Sequence, residues 1–356
     1  MSSMEPLRVT DDDLRSPSVE GVLAEQEALN RAMPTAAPLP WHRRILYATW
    51  LYLALAGTTA GFVAWAVFEP FINDNDMDAD EVSLVNLFLF PAVTAFIALF
   101  VAATEGLMCR NIKRALFSGS VSCAIGFVGG LLMLIPATIF YGIGLAIASE
   151  MSPVTENGMP TGGALAIVIL GRGIAWALFG IVAGIGQGIA LRQGRMVVNG
   201  LLGGALGGLL GGFLFDPVYL VLGLPEEAAA SRALGFMAIG LSVGLFLGLV
   251  EQWTKSAWLF MKAGPLAGKQ FVLYRNPTVV GSSPKADIYL FKDAAIEPRH
   301  ALLHARGGRY EIEDCGTADG TYVNGKPVSR QILRSGDQVV VGRTVLEFSL
   351  RDNRAR

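Results

Sequence analysis

The chain has 356 residues and a formal net charge of −2; 52% of its residues are hydrophobic and only 16% are charged, against about 25% charged in a typical soluble domain. Lys and Arg fall in small scattered groups, which excludes a basic nucleic-acid-binding stripe. Cys109, Cys123 and Cys315 have neither disulfide-framework nor metal-ligand spacing, so no metal and no cofactor is expected.

Residues 1–40 are rich in Ser, Pro, Asp and Glu and read as a polar, disordered tail. Ser16-Pro17 supplies a cap and a first-turn proline for one short helix, with Val22, Leu23 and Leu29 as a weak apolar face. There is no early apolar core of the signal-peptide kind.

A membrane domain is expected over 41–262. Its apolar stretches at about 45–68, 83–104, 116–138, 166–190, 197–222 and 233–258 are each near the ~20 residues that cross a bilayer. The third run continues past Pro136 to Ala148, which predicts a kink near Pro136 and a half-helix or interfacial tail after it.

The connections alternate in charge. His42, Arg43 and Arg44 precede the first span; the first loop then holds Glu69, Asp74, Asp76, Asp78, Asp80 and Glu81 with no base. Arg110, Lys113 and Arg114 follow, then Glu150 and Glu156, Arg192 and Arg195, Glu226 and Glu227, and finally Lys255 and Lys262. By the positive-inside rule both termini are cytoplasmic, as an even number of spans in a plasma (inner) membrane requires. Asp74, Asp76 and Asp78 match the start of a calcium loop. Ala79 and Val85 stand where that loop needs Gly and Glu, so the segment reads as a solvated loop.

The spans carry an internal repeat. Arg172 is followed by Gly180, Gly184 and Gly188, and Arg232 by Gly240, Gly244 and Gly248, sixty positions apart. Ser118, Ser122, Gly126 and Gly130 correspond to Gly200, Gly204, Gly208 and Gly212, eighty-two positions apart. Spans 3–4 and 5–6 therefore read as two parallel copies of one hairpin. Small residues every fourth position let backbones approach closely, within one chain or between copies as a homo-oligomer. Near the outer ends, an Asp216–Arg232 pair is expected, with Glu150 the nearest acid for Arg172.

Residues 265–352 read as many short strands punctuated by Gly, Pro, Asn and Asp, from Phe271-Val272-Leu273 to Val345-Leu346-Glu347-Phe348, and so as a β-sandwich. Gly281-Ser282, Glu297-Pro298-Arg299-His300, the stretch Asp314 to Gly325, Gly336-Asp337 and Gly342 occur in the order of a known signature. The domain resembles the forkhead-associated (FHA) family, which reads phosphothreonine. The resemblance implies a site at Ser282, Lys285, Glu297, Arg299, Thr317, Asp319 and Asn324, altered from the family pattern. Ser282 replaces the phosphate-binding arginine, Glu297 the phosphate-contacting serine and Asp319 the peptide-holding asparagine. Gly281, His300, Gly320, Thr321 and Asn324 keep scaffold positions. Losing the arginine removes a bidentate charge-assisted contact, and two added carboxylates repel a phosphate. Lys285 and Arg299 supply positive charge and Thr317 a hydroxyl, which is not expected to outweigh them. Thr10, with Asp13 three residues on, is a candidate self-ligand.

The chain thus reads as an α-helical polytopic bundle followed by an all-β FHA-type sandwich. The function expected is a membrane-anchored adaptor, with lipid around its helices and a cytoplasmic protein partner on its β-domain. The alternative is a transporter or channel-like protein regulated by that domain. With only His42, His300 and His304, and no nucleophile elbow or phosphate loop, the chain is not expected to be an enzyme.

Overall fold

The computed structural model describes residues 40–72, 84–151, 160–222 and 228–351. Thr10, the Ser16-Pro17 segment, the acidic loop Asp74–Glu81, Glu156, Glu226, Glu227 and the side chain of Asp216 lie outside the described residues. Two compact units result, a helical one over Arg44–Lys255 and one holding Ser256–Arg356.

A short helix, α1 (Trp41–Leu46), comes first. Six long helices follow: α2 (Thr49–Phe68), α3 (Leu84–Met108), α4 (Ile112–Met151), α5 (Gly162–Ala190), α6 (Gly194–Leu222) and α7 (Ala228–Thr254). All six are long and apolar enough to cross a membrane. Their outward faces stay apolar: on α4, Leu116, Leu132 and Ile135 are exposed, as lipid contact requires and water does not favour.

Helix α4 does not stop after Pro136. It runs unbroken to Met151, although the proline ring removes the N–H that would bond the Leu132 carbonyl. At 1.5 Å per residue its 40 residues reach about 60 Å, roughly twice a ~30 Å hydrocarbon core.

The helices form a ring in chain order, each packing on the next, and α7 closes it against α2. Glycine sets the spacing. A Cβ on Gly180 would lie 2.2 Å from the Gly204 carbonyl oxygen, and one on Gly184 2.1 Å from that of Gly200, so α5 and α6 touch backbone to backbone. At the ring closure, a Cβ on Gly240 would lie 2.0 Å from the Gly57 oxygen and one on Gly244 2.0 Å from that of Leu53. These small-residue faces are used between helices of the same chain. Inside the ring pack Val93, Ile97, Trp176, Phe179, Phe236 and Val243.

The structure extends the repeat by a copy that starts one helix earlier than the sequence suggests. Hairpin α3–α4 superposes in sequence on α5–α6 with a constant offset of eighty-two. Gly106 abuts Ala115 as Gly188 abuts Val197, each Cβ 2.5 Å from the partner nitrogen. Gly130 meets Pro91 as Gly212 meets Gly173. The turns match as well. Arg110 and Arg192 both adopt left-handed backbone, with φ of 52° and 54°. After them, Asn111 N–H bonds Gly106 O and Gln193 N–H bonds Gly188 O, each at 2.8–2.9 Å, the bonding of a helix C-cap. The third equivalent pair is α7 with α2, which no turn connects.

Helix α7 ends at Thr254, and a strand, β1, starts at Ala257 where the apolar run reads as span. Among the described residues eleven strands follow, β1 (Ala257–Ala263), β2 (Gln270–Val272), β3 (Thr278–Gly281), β4 (Ile288–Tyr289), β5 (Ala301–Arg306), β6 (Arg309–Asp314), β7 (Thr321–Val323), β8 (Lys326–Val328), β9 (Arg330–Leu333), β10 (Gln338–Val341) and β11 (Thr344–Leu350); they make two sheets, ordered β2-β1-β11-β10-β7-β8 and β4-β3-β5-β6-β9. Strand β1 (Ala257–Ala263) alternates buried Ala257, Leu259 and Met261 with outward residues and pairs antiparallel with β11 (Thr344–Leu350). Two further strands, β8 (Lys326–Val328) and β9 (Arg330–Leu333), lie in a stretch where the sequence offers little β-signal. Leu303, Ile312, Val339, Leu346 and Phe348 fill the core between the sheets.

Candidate ligand-binding loops of the C-terminal domain

The candidate site lies in three loops: after β3 (Thr278–Gly281), before β5 (Ala301–Arg306), and between β6 (Arg309–Asp314) and β7 (Thr321–Val323). The first two are held together through backbone. Ser282 N–H donates to Glu297 O at 2.9 Å, and His300 N–H to Val280 O at 2.9 Å. Gly281 is required there, since a Cβ would lie 2.3 Å from the Pro298 oxygen.

His300 is fully buried and joins the second loop to the third. Its Nδ1 accepts from Glu297 N–H at 3.2 Å, so the proton sits on Nε2, which reaches Gly320 O at 3.1 Å and Thr317 Oγ1 at 3.2 Å. A neutral imidazole, one face accepting and the other donating, is the only state that satisfies both loops.

Asp314 organises the third loop. Its Oδ1 accepts from Thr321 Oγ1 at 2.7 Å and Thr317 Oγ1 at 2.9 Å; its Oδ2 accepts from Gly316 N–H at 2.8 Å and Thr317 N–H at 3.0 Å. Burial pushes this carboxyl's pKa up. The hydrogen bonds from Thr321, Thr317 and Gly316 more than reverse that and leave it below the ordinary carboxylate value.

Glu297 has a second role. Its Oε1 accepts the Ala318 N–H at 3.0 Å, so a carboxylate of the second loop already occupies a backbone donor of the third. Arg299 is exposed and lies near Cys315, whose thiol is pushed up by burial despite the nearby guanidinium. Lys285 and Asp319 are exposed. The loops therefore bring Ser282, Glu297 and Thr317 together. Asn324 belongs elsewhere, at the β7–β8 turn with φ 50°. It bonds Asp337 Oδ1 and Gln338 N–H at 2.8 and 2.9 Å and serves as a brace.

Asp314 is absent from the sequence-derived site. The signal was present in Asp314-x-Gly316-Thr317, a carboxylate two and three residues before donors it can fold back on. The Glu297–Ala318 bond had no such signal, because it joins residues of different loops.

Residues 278–342 match the FHA domain family. Among curated proteins, an oxoglutarate dehydrogenase inhibitor of Corynebacterium jeikeium is 40% identical over 93 residues, covering 26% of this chain and 64% of that one. The glycogen accumulation regulator GarA of Mycolicibacterium smegmatis is 41% identical over 93 residues, covering 26% and 58%. The chain thus spans less than two thirds of the length of the curated relatives it matches. Among solved structures, the FHA domain of a Chlamydia trachomatis protein is 27% identical, with coverage of 27% and 99% and a TM-score of 0.25. The FhaA FHA domain, solved in complex with the intracellular domain of another protein, is 25% identical, with coverage of 26% and 99% and a TM-score of 0.25. Residues 278–342 thus form an FHA domain, a protein-interaction module.

Proposed function

We propose that the chain is a membrane-anchored adaptor whose FHA domain recruits a cytoplasmic protein by a mode other than standard phosphothreonine recognition. The carrying observation is the Glu297 carboxylate on the Ala318 N–H. A phosphate approaching these loops would meet a negative charge already seated on that donor. Ser282, where the family holds arginine, offers a hydroxyl and no charge in compensation. A charge-assisted fork of that kind contributes roughly 1.5–3 kcal/mol per hydrogen bond.

The anchor is the six-helix ring, and the alternation of basic and acidic connections supports cytoplasmic termini in a plasma (inner) membrane. The reading assigns no enzyme activity to the chain.

Titration of the FHA domain with matched phosphothreonine and unphosphorylated peptides tests this, with a phospho-Thr10 peptide among them. The wild type is expected to ignore the phosphate. Ser282→Arg combined with Glu297→Ser is expected to gain at least tenfold for the phosphorylated form. Micromolar, phosphate-dependent binding by the wild type would overturn the proposal. Crosslinking in native membranes then identifies the recruited protein.

A further inference from the structure

A cavity of about 340 Å³ opens within the helical unit, inside the ~300–1,000 Å³ range of small-molecule sites. Its walls are flat and apolar. Phe90 of α3 and Trp176 and Phe179 of α5 form one aromatic cluster, with ring centres 5.5–6.0 Å apart, and Phe215 of α6 lines the cavity with them. Thr138 is exposed and Phe90 is 36% exposed, so the cavity has an open mouth.

Arg172 borders the cavity but is committed within the chain. It donates through Nη2 to the Tyr141 hydroxyl at 2.7 Å. Its guanidinium carbon lies 5.2 Å from the Tyr141 ring centre and 5.1 Å from that of Phe215, and its interactions do not end there. Its effect falls on Tyr141. The phenol oxygen accepts a bond from a cation, and an O–H polarised in this way is a stronger donor. No acceptor for the phenol proton lies among the described residues.

A second hydroxyl stands beside it. Thr138 lies three residues before Tyr141 on α4, so the two share a helix face, and both line the cavity. Other threonines in the spans return their proton to the carbonyl four residues back, as Thr58, Thr59, Thr94 and Thr104 do at 2.6–2.9 Å. Thr138 makes no such bond, and no other hydrogen-bond partner for it lies among the described residues. A hydroxyl left unpaired in an apolar setting is costly. The packing repeat calls for neither group, since Leu220 and Gly223 stand eighty-two positions on.

Two hydroxyl donors on α4 and aromatic faces from α3, α5 and α6 describe the ligand. It is flat, to lie on the rings. It carries an acceptor oxygen for the two protons, and it is uncharged because the bordering cation is already engaged. We propose that this cavity binds a neutral, lipid-soluble ring ketone of the quinone type, its carbonyl oxygen accepting from the Tyr141 and Thr138 hydroxyls. Entry from the bilayer rests on the reading that the six helices cross a membrane.

Full-length protein in detergent is tested by equilibrium dialysis with 2,3-dimethyl-1,4-naphthoquinone, whose filled ring positions do not add thiols. The comparison probe is 2,3-dimethylnaphthalene, the same ring system without carbonyls, and both are corrected for partition into protein-free micelles. The wild type is expected to prefer the quinone about tenfold. Thr138→Val keeps the shape and leaves Arg172 and Tyr141 untouched; it is expected to lose most of the preference, and Tyr141→Phe likewise. Thr138→Trp fills the cavity and is expected to abolish binding of both probes. Thr104→Val, which removes a hydroxyl already bonded to the Phe100 carbonyl, should change neither affinity. Equal affinity of the wild type for the two probes, absence of saturable quinone binding, or a preference that survives both Thr138→Val and Tyr141→Phe overturns the proposal. Release of the chain from native membranes by carbonate washing would instead refute the membrane reading and the proposal with it, a result distinct from an embedded protein without carbonyl preference.

Discussion

Replacing Asp314 with alanine tests whether one carboxylate holds the third loop. The FHA unit suits this test because both sheets close within 256–351 and Arg351 N–H bonds Ser256 O at 2.8 Å, tying the ends. The substitution removes the acceptor for four hydrogen bonds. The two hydroxyls can turn to water, but the Gly316 and Thr317 N–H groups point inward at the lost carboxylate. An unmet buried donor costs about 1–3 kcal/mol. Asp314 is only partly buried, so water enters and the lower half applies: about 2–4 kcal/mol in all, from a typical total of ~5–15 kcal/mol. With a urea slope of ~1–3 kcal/mol per molar, the unfolding midpoint falls by about 1–2 M. Asp314→Asn keeps the shape, loses the charge, and should fall between wild type and alanine. The pH dependence has a fixed sign. A carboxyl whose folded pKa is depressed contributes stability that is present above its unfolded pKa and is lost as pH falls through the folded value. Urea midpoints of wild type should therefore decline on acidification more steeply than those of the Asn variant. A change below ~0.5 kcal/mol for Asp314→Ala, or parallel acid profiles, would refute the reasoning.

Glu69→Gln breaks the two-bond fork on Arg232; with the amide oxygen keeping one of the two bonds, the expected loss is about 1.5–3 kcal/mol, read as a lower melting temperature in detergent, with partial recovery in Glu69→Gln/Arg232→Met. Gly184→Leu forces α5 and α6 apart where a Cβ would already lie 2.1 Å from the Gly200 oxygen, so monodisperse full-length protein should be lost on gel filtration, while Gly142→Leu, with open space around it, should behave as wild type. Asn324→Ala combines left-handed backbone strain with lost braces to Asp337 and Gln338; about 1–3 kcal/mol is expected by urea unfolding of the FHA domain. Asn324→Gly, which removes only the braces, should cost less.

What the sequence made legible was periodicity and punctuation. Six apolar runs, the small-residue faces and the FHA signature residues each lie within one stretch of chain. The missed features depend on distant partners. The sequence carries the last span to 258 and shows no strand at Ala257–Ala263, which is apolar enough for either element; only pairing with β11 makes its alternate residues inward. The earlier copy of the repeat is hidden in the sequence because α3 carries Ala98 and Ala102 where α5 carries Gly180 and Gly184, and alanine does not announce itself as a packing face. The expected Asp216–Arg232 pair falls on a side chain outside the described residues; the fork between Arg232 and Glu69, from a 3-10 turn (Glu69–Phe71) after α2, joins residues remote in sequence and adjacent in the ring, which depth alone does not pick out. At the site, the substituted residues could be read from the sequence but the Glu297–Ala318 bond could not, because only folding brings those two loops together.

The ring closure has a consequence for biosynthesis. Of the six long helices α2 leaves the ribosome first, yet the partner that fits its Gly57 face is α7, the last of the six. Between those moments the two contiguous hairpins can assemble as they emerge, and α2 stays a guest with one open flank. Its capture by α7 is the one ring pairing made without a direct chain connection, so it joins the helical unit's first and last long helices at a seam. Moving α2 behind α7 by circular permutation would turn that seam into an ordinary hairpin and make assembly sequential throughout.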